Sequence, residues 1–194
     1  MKNENIKKNL VDNAFNIIDK QGVAKLSMRK LTKASNCSLG GFYNFFKNVD
    51  DLMYHINARS LDILFQMTKV KMYHVLENKN TSYKDLLFAI GQEYLAFSEK
   101  HVNLWKSLFE STTKRNIPLW YKEQVRANLK EVEDILSQKF NLPSEQTHRT
   151  VTLFWAAIHG VCSIFINKKI YVVDDIIDDQ FINFYLSHCI DGLI

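Results

Sequence analysis

Two prolines and six glycines are all the strong backbone punctuation in a chain of 194 residues. Folds made of many short strands need a turn signal roughly every 8–12 residues, and long stretches of this sequence have none. Between the few breakers, apolar residues recur at three- and four-residue intervals, the period of a helix with one buried face. The expectation is an all-α protein of about nine helices. Apolar residues make up 46% of the chain and charged residues 24%. That is enough apolar side chain to close a core, and too much for a disordered segment.

The first segment, 6–20, puts Leu10, Ala14, Phe15, Ile17 and Ile18 on one face. Gly22 follows where a helix end favours positive φ. Ser27 is of the capping type for a short helix from Met28 to Ala34, with Met28 and Leu31 inward. Asn36 is one of the few non-glycine residues that tolerate positive φ in a tight turn. Ser38 opens a third short helix reaching about Phe45. Asn48 caps a fourth that runs unbroken to about Asn78, with Asp50 and Asp51 in its first turn, where acids favour the helix dipole. Residues 1–48 therefore read as three short helices, the last two joined by a tight turn. Helix-turn-helix proteins have that plan, and so does a generic three-helix core.

Downstream, helices are expected over Tyr83 to Lys100, His101 to Glu110, Pro118 to about Phe140, Pro143–Ser144 to near Asn167, and Asp174 to Gly192. A polar loop covers Ser111 to Asn116. Asp174, Asp175, Asp178 and Asp179 crowd the start of the last helix, again favourable to its dipole.

Charge is unevenly spread. Residues 1–48 carry nine basic residues (Lys2, Lys7, Lys8, Lys20, Lys25, Arg29, Lys30, Lys33, Lys47) and three acids (Glu4, Asp12, Asp19), a net +6 against +4 for the whole chain. The remaining residues sum to −2. A small basic end on a mildly acidic body fits a nucleic-acid reader with a separate second function. Cys37, Cys162 and Cys189 are too few and too scattered for a disulfide framework or a structural zinc site, which fits a reduced, cytoplasmic setting. The polar start MKNENIKKNL does not read as a signal peptide. Thr150 to Asn167 lacks acidic and basic residues throughout. Its threonines, His159, Ser163 and Asn167 are those of a buried interface helix rather than a membrane span.

The run from Gly22 to Leu52 is more specific. Leu26–Ser27 starts the second helix, and Ser38-Leu39-Gly40-Gly41-Phe42-Tyr43-Asn44-Phe45-Phe46 leads to Asp50-Asp51-Leu52. This order resembles the DNA-binding domain of the TetR family of transcriptional regulators. Three positions depart from the family pattern: Asn36 for the usual turn glycine, Thr32 for a small alanine, and Val49 for a lysine, with a lysine, Lys47, two residues earlier. Trp155-Ala156-Ala157-Ile158-His159-Gly160 is similar to a Trp…His-Gly element in the C-terminal domain of one TetR subgroup.

The resemblance implies a helix-turn-helix DNA-binding domain over 1–48 and an effector-binding and dimerisation domain over 49–194. It also implies double-stranded operator DNA, a homodimeric partner and a small, largely apolar effector, with no membrane, cofactor, metal or catalytic residue. The DNA-binding candidates are Ser27, Arg29, Lys30, Ser38, Leu39, Gly40, Gly41, Tyr43, Asn44 and Lys47. Hydroxyls and free N–H groups at helix starts suit phosphate. Two glycines thin the recognition helix for close approach to the groove, and Asn44 has the amide that suits a base edge. Phe42, Phe45, Phe46 and Cys37 are read as core.

Beyond residue 53, aromatics recur at helical spacing as a core would have them, and the resemblance implies that some of them line an effector cavity. Tyr94, His101, Trp105, Trp120 and His159 are the candidates with a polar handle. The last two helices would pair with their symmetry mates around Ala156, Gly160 and Ser163, giving a two-fold dimer that suits palindromic half-sites. The expected function is a ligand-responsive repressor. A helical protein-interaction bundle, or an activator on the same fold, is the alternative. His159 with Cys162, and His188 with Cys189, lack a third orienting group, so an enzyme is not expected.

Overall fold

Helix formation follows the apolar spacing closely. In this computed structural model, which describes residues 2–110, 117–172 and 179–193, nine α-helices and two short 3-10 turns occur among the described residues. They are α1 (Lys2–Gln21), a turn at Val23–Lys25, α2 (Met28–Ala34), α3 (Leu39–Phe42), α4 (Val49–Leu76), α5 (Tyr83–Lys100), α6 (Val102–Phe109), α7 (Leu119–Phe140), α8 (Ser144–Ile166), a turn at Ile170–Val172, and α9 (Asp179–Asp191). The expected all-α architecture is present. The third helix is shorter than its expected reach to about Phe45. The polar loop at 111–116, Asp174, Asp175 and Asp178, and the side chain of Asp179 lie outside the described residues.

Two compact units divide the chain, Met1–Asp62 with His101–Val125, and Ile63–Lys100 with Arg126–Ile194. In the first, Leu10, Ala14, Phe15 and Ile18 of α1 join Leu31, Phe42, Phe46, Leu52, Ile56, Leu104 and Trp105 in one buried core. Each large apolar side chain so buried contributes about 1.5–3 kcal/mol. Polar bonds set how the helices meet. The Asn13 Nδ2 donates to Ser35 Oγ at 3.0 Å, and Ser35 Oγ donates to the Asn9 carbonyl at 3.3 Å, tying α2 to α1. Asp19 of α1 holds His101 Nδ1 at 2.9 Å, while Asn103 donates to the Asp19 carbonyl at 3.0 Å. These two bonds fasten the start of α6. Gly22, at φ 83°, makes the bend beside them, where an added Cβ would stand 3.3 Å from Asn103.

In the second unit α5 packs against α8 and α9. Gly91 lets them close, since a Cβ there would meet Leu186 at 2.8 Å, Phe154 at 3.0 Å and Ile158 at 3.1 Å. A reciprocal cap starts α5: Asp85 accepts from the Ser82 amide at 2.8 Å and the Ser82 hydroxyl accepts from the Asp85 amide at 3.1 Å. By length and composition α8 could cross a membrane, with mean hydropathy 1.5. Its inward face, Val151, Phe154, Ile158, Val161 and Cys162, is nevertheless buried within this unit. Its other side exposes Leu153, Trp155 and Ile164, and α9 exposes Phe184.

Candidate nucleic-acid interface

The interface candidates sit on a continuous chain of backbone devices from Ser27 to Asp51. Leu31 N–H donates to the Ser27 carbonyl at 2.8 Å to begin α2, while the Ser27 hydroxyl makes no capping bond. Ser27 thus holds the capping position without the side-chain cap its type suggested. Thr32, buried, returns its hydroxyl to the Met28 carbonyl at 2.9 Å, which removes the cost of an unpaired polar group in the core. At the end of α2, Cys37 N–H reaches the Thr32 carbonyl at 2.9 Å and Asn36 N–H reaches Lys33 at 3.3 Å. These are the two bonds of a Schellman motif, and Asn36 takes the left-handed position at φ 50°. Asparagine therefore does what the family's glycine does.

Ser38 then caps α3, its hydroxyl accepting from Gly41 N–H at 3.0 Å. Four residues complete α3, after which i→i+3 bonds from Asn44 to Gly41 and from Phe45 to Phe42 tighten the chain. Adjacent glycines carry low helix propensity, and Phe46 turns inward to stack on Phe42 at 5.2 Å. Both features stop the helix early. The two glycines also differ from each other. A Cβ on Gly40 would meet nothing within 4 Å, whereas one on Gly41 would stand 2.9 Å from Cys37 Sγ and 3.1 Å from Ser38 Oγ. Only Gly40 thins the outer face.

Beyond Phe46, Lys47 N–H donates to Asp51 at 3.0 Å and Asp51 N–H donates to the Asn48 side chain at 2.9 Å. This double cap fixes the start of α4 and fulfils the expected role of Asn48. Of the ten interface candidates, Arg29, Lys30, Ser38, Leu39, Gly40, Tyr43, Asn44 and Lys47 are exposed, and Ser27 and Gly41 are half-buried. Leu39 and Tyr43 are unusual for surface residues of this size, at 53% and 55% exposure. Phe42 and Phe46 are core as expected; Phe45 and Cys37 are half-buried.

The five effector candidates fall in both units. Tyr94 and His159 meet within the second unit, hydroxyl to Nδ1 at 2.9 Å, with Trp155 beside His159 at 5.4 Å between ring centroids. His101, Trp105 and Trp120 belong to the first unit. His101 pairs with Asp19, Trp105 is fully buried, and Trp120 stacks on His55 at 4.6 Å. One cleft of about 510 Å³ is lined by Glu4, Lys7, Lys8, Val11, Asp12 and Arg59, and another of about 260 Å³ by α5 and α9 residues from Gln92 to Asn183. Neither includes any of the five. Burial pushes the Cys162 thiol up to about 12, with the Ser98 side chain as its hydrogen-bond partner, the character of a packed thiol. No cluster of three metal-ligating residues occurs among the described residues.

Sequence reading missed the His55–Trp120 stack and the Asp19–His101 pair. Both join residues more than sixty positions apart, and no local spacing signals either pair.

A Schellman turn between two short helices, with cations and an exposed tyrosine around it, is the plan of a helix-turn-helix regulator of transcription. The family model described as "Tetracyclin repressor-like, C-terminal domain" matches residues 87–183. With half the chain matched, the protein belongs to the TetR family of transcriptional regulators. Among curated proteins none shows a significant sequence match. Solved structures share the fold over nearly the whole chain. A TetR transcriptional regulator from Rhodococcus sp. RHA1 aligns at TM-score 0.63 and 12% identity, covering 100% of this chain and 98% of its own. A TetR family regulator from Marinobacter aquaeolei VT8 gives 0.65 and 10%, covering 98% and 96%. A TetR-family regulator from Streptomyces coelicolor gives 0.62 and 17%, covering 97% and 99%. At these identities the likeness speaks for the fold alone.

Proposed function

We propose that this regulator is a ligand-responsive repressor, acting in the cytoplasm, that binds a palindromic operator as a homodimer and is released by a small, largely apolar effector. The observation that carries the DNA-binding part is the outward set around α3. Gly40 leaves its outer face thin, while Tyr43, Asn44, Arg29, Lys30 and Lys47 surround it with donors and cations. Cations and hydroxyls position the protein on phosphates, and Asn44 and Leu39 supply short-range contact to base edges and thymine methyls. Residues 1–48 form the reading domain and 49–194 the effector and dimer domain. The outer face of α8 and α9 pairs with its symmetry mate, with Gly160 open to close approach. Tyr94 and His159, with Trp155, make up the effector-contacting group that the second unit brings together. Effector favours a dimer whose recognition helices are misspaced for successive major grooves, and by reciprocity DNA weakens effector binding.

Selection of bound sequences from a random DNA pool, repeated with Tyr43→Ala and at several salt concentrations, tests this. A palindromic site recovered by wild type and lost by the variant supports it. Weak, salt-sensitive binding without an enriched sequence, unchanged by extracts of small molecules, overturns it.

A further inference from the structure

His55 stands in the second turn of α4, held between two rings. Trp120 of α7 stacks on it with centroids 4.6 Å apart and planes at 22°. Phe46, where the recognition element ends, meets it edge-on at 5.4 Å and 75°. Phe46 stacks in turn on Phe42 of α3 at 5.2 Å. Two side chains thus connect the indole of α7 to the recognition helix. The charged groups acting on the imidazole are Lys7 of α1 and Asp51 of α4. Lys7 also lies over the Phe46 ring, 5.5 Å from its centroid. Asp51 is one helical turn before His55, on the same face, and its carboxylate holds the Lys47 amide.

We propose that His55 is a proton-operated positioning residue for the recognition helix. A proton on its ring draws Asp51 off the Lys47 amide and drives Lys7 from the Phe46 face, so the joint between α3 and α4 loosens and DNA affinity falls in acid. The inference rests on the DNA-binding reading above. It sits in a region where burial first, and Lys7 second, hold the imidazole below the ordinary histidine value, with Asp51 working the other way. The neutral-ring arrangement is therefore complete above about pH 6.5 and is lost as pH falls through the lowered folded value. Its direction is distinctive. Protonating histidines elsewhere adds positive charge, which strengthens attraction to phosphate, so a decline in acid runs against the general trend.

The test uses the full chain and the palindromic site recovered from the pool, at constant ionic strength, from pH 7.5 to 5.5. Wild type should lose about tenfold in affinity, the equivalent of one pKa unit of coupling. His55→Phe keeps an aromatic ring in the stack but cannot take a proton; it should match wild type at pH 7.5 and lose less than about threefold, well inside that unit of coupling. By reciprocity, DNA should lower the His55 value, read from its imidazole resonances, by the same factor. Parallel profiles for wild type and variant overturn the proposal. Should His55→Phe fail to fold, an unchanged His55 titration on DNA overturns it in wild type alone. In the free protein, the Lys47 amide resonance should move with the His55 titration. A Lys47 amide that stays still overturns the proposal even where no DNA site is found, which separates its failure from that of the DNA-binding reading.

Discussion

Between Ser27 and Asp51 the side chains that reach solvent include four cations, the Ser38 hydroxyl and three asparagine amides, with Ala34, Leu39, Tyr43 and Val49 among them. On α8 and α9 they include Leu153, Trp155, Ile164 and Phe184, with no Asp, Glu, Lys or Arg between Thr150 and Asn167 and polar residues such as Glu145, Arg149, Thr152 and Asn183 around them. Both regions are helical and both rest on well-packed cores, so the contrast lies in what each presents. The first surface is held by named backbone bonds: the Schellman pair at Asn36 and Cys37, the Ser38 cap, and the double cap at Asn48 and Asp51. That suits a partner read by short-range geometry. The second carries exposed apolar side chains along an uncharged stretch of helix, which suits the proposed pairing with a copy of itself.

The largest effect should come from charging the apolar face. Leu153→Glu with Ile164→Glu should leave the protein monomeric in sedimentation equilibrium where the wild type forms the proposed dimer. Affinity for a palindromic site should fall by about a hundredfold or more, the scale of an unpaired charge buried at an interface. A variant that stays dimeric would place the interface elsewhere. On the other surface the two neighbouring glycines separate folding from contact. Gly41→Ala should cost about 1–2 kcal/mol in thermal unfolding, because its Cβ overpacks the turn and the cap, and DNA affinity should fall with it. Gly40→Ala has open space and should gain up to about 1 kcal/mol from helix propensity. Any loss of DNA affinity in that variant reports contact with the groove alone.

The smallest effect concerns the cap at α5. The Ser82 amide and hydroxyl hold the Asp85 carboxyl below its ordinary value of 3.8. Their contribution is present above that value and disappears as pH falls through the lowered one. Ser82→Ala should therefore cost under about 1 kcal/mol at neutral pH, the low end for an exposed cap. In titrated unfolding, the gap between wild type and variant should narrow in strong acid to the share of the bond from the Asp85 amide to the Ser82 hydroxyl, which does not titrate.

Local chemistry is what the sequence exposes well. Tyr83 to Lys100 is a helix with the bounds its spacing implies, and Asn36 and Asn48 take the positions their side chains favour. Where two local preferences compete, the reading loses its edge. Ser38 favours a helix, but Gly40, Gly41 and the inward pull of Phe46 end it at Phe42. Across long separations it is silent. Periodicity says that Trp105 and Trp120 face inward, not that one is sealed in a core and the other lies flat on His55. That is why five effector candidates of similar chemistry parted into two units.

The close fit of Gly41 against Cys37 constrains how this chain can change over time. Positions 37 and 41 share one small volume, so a side chain gained at 41 is accommodated when the one at 37 turns away or is shortened. Cys37→Ala removes the sulfur 2.9 Å from the site of the new Cβ and should make Gly41→Ala far better tolerated than it is alone, a coupling of the size that neighbours in contact show. The order of substitution then matters. Lineages that reach alanine at 41 should have shortened 37 first, and the reverse path crosses a variant with a damaged reading element.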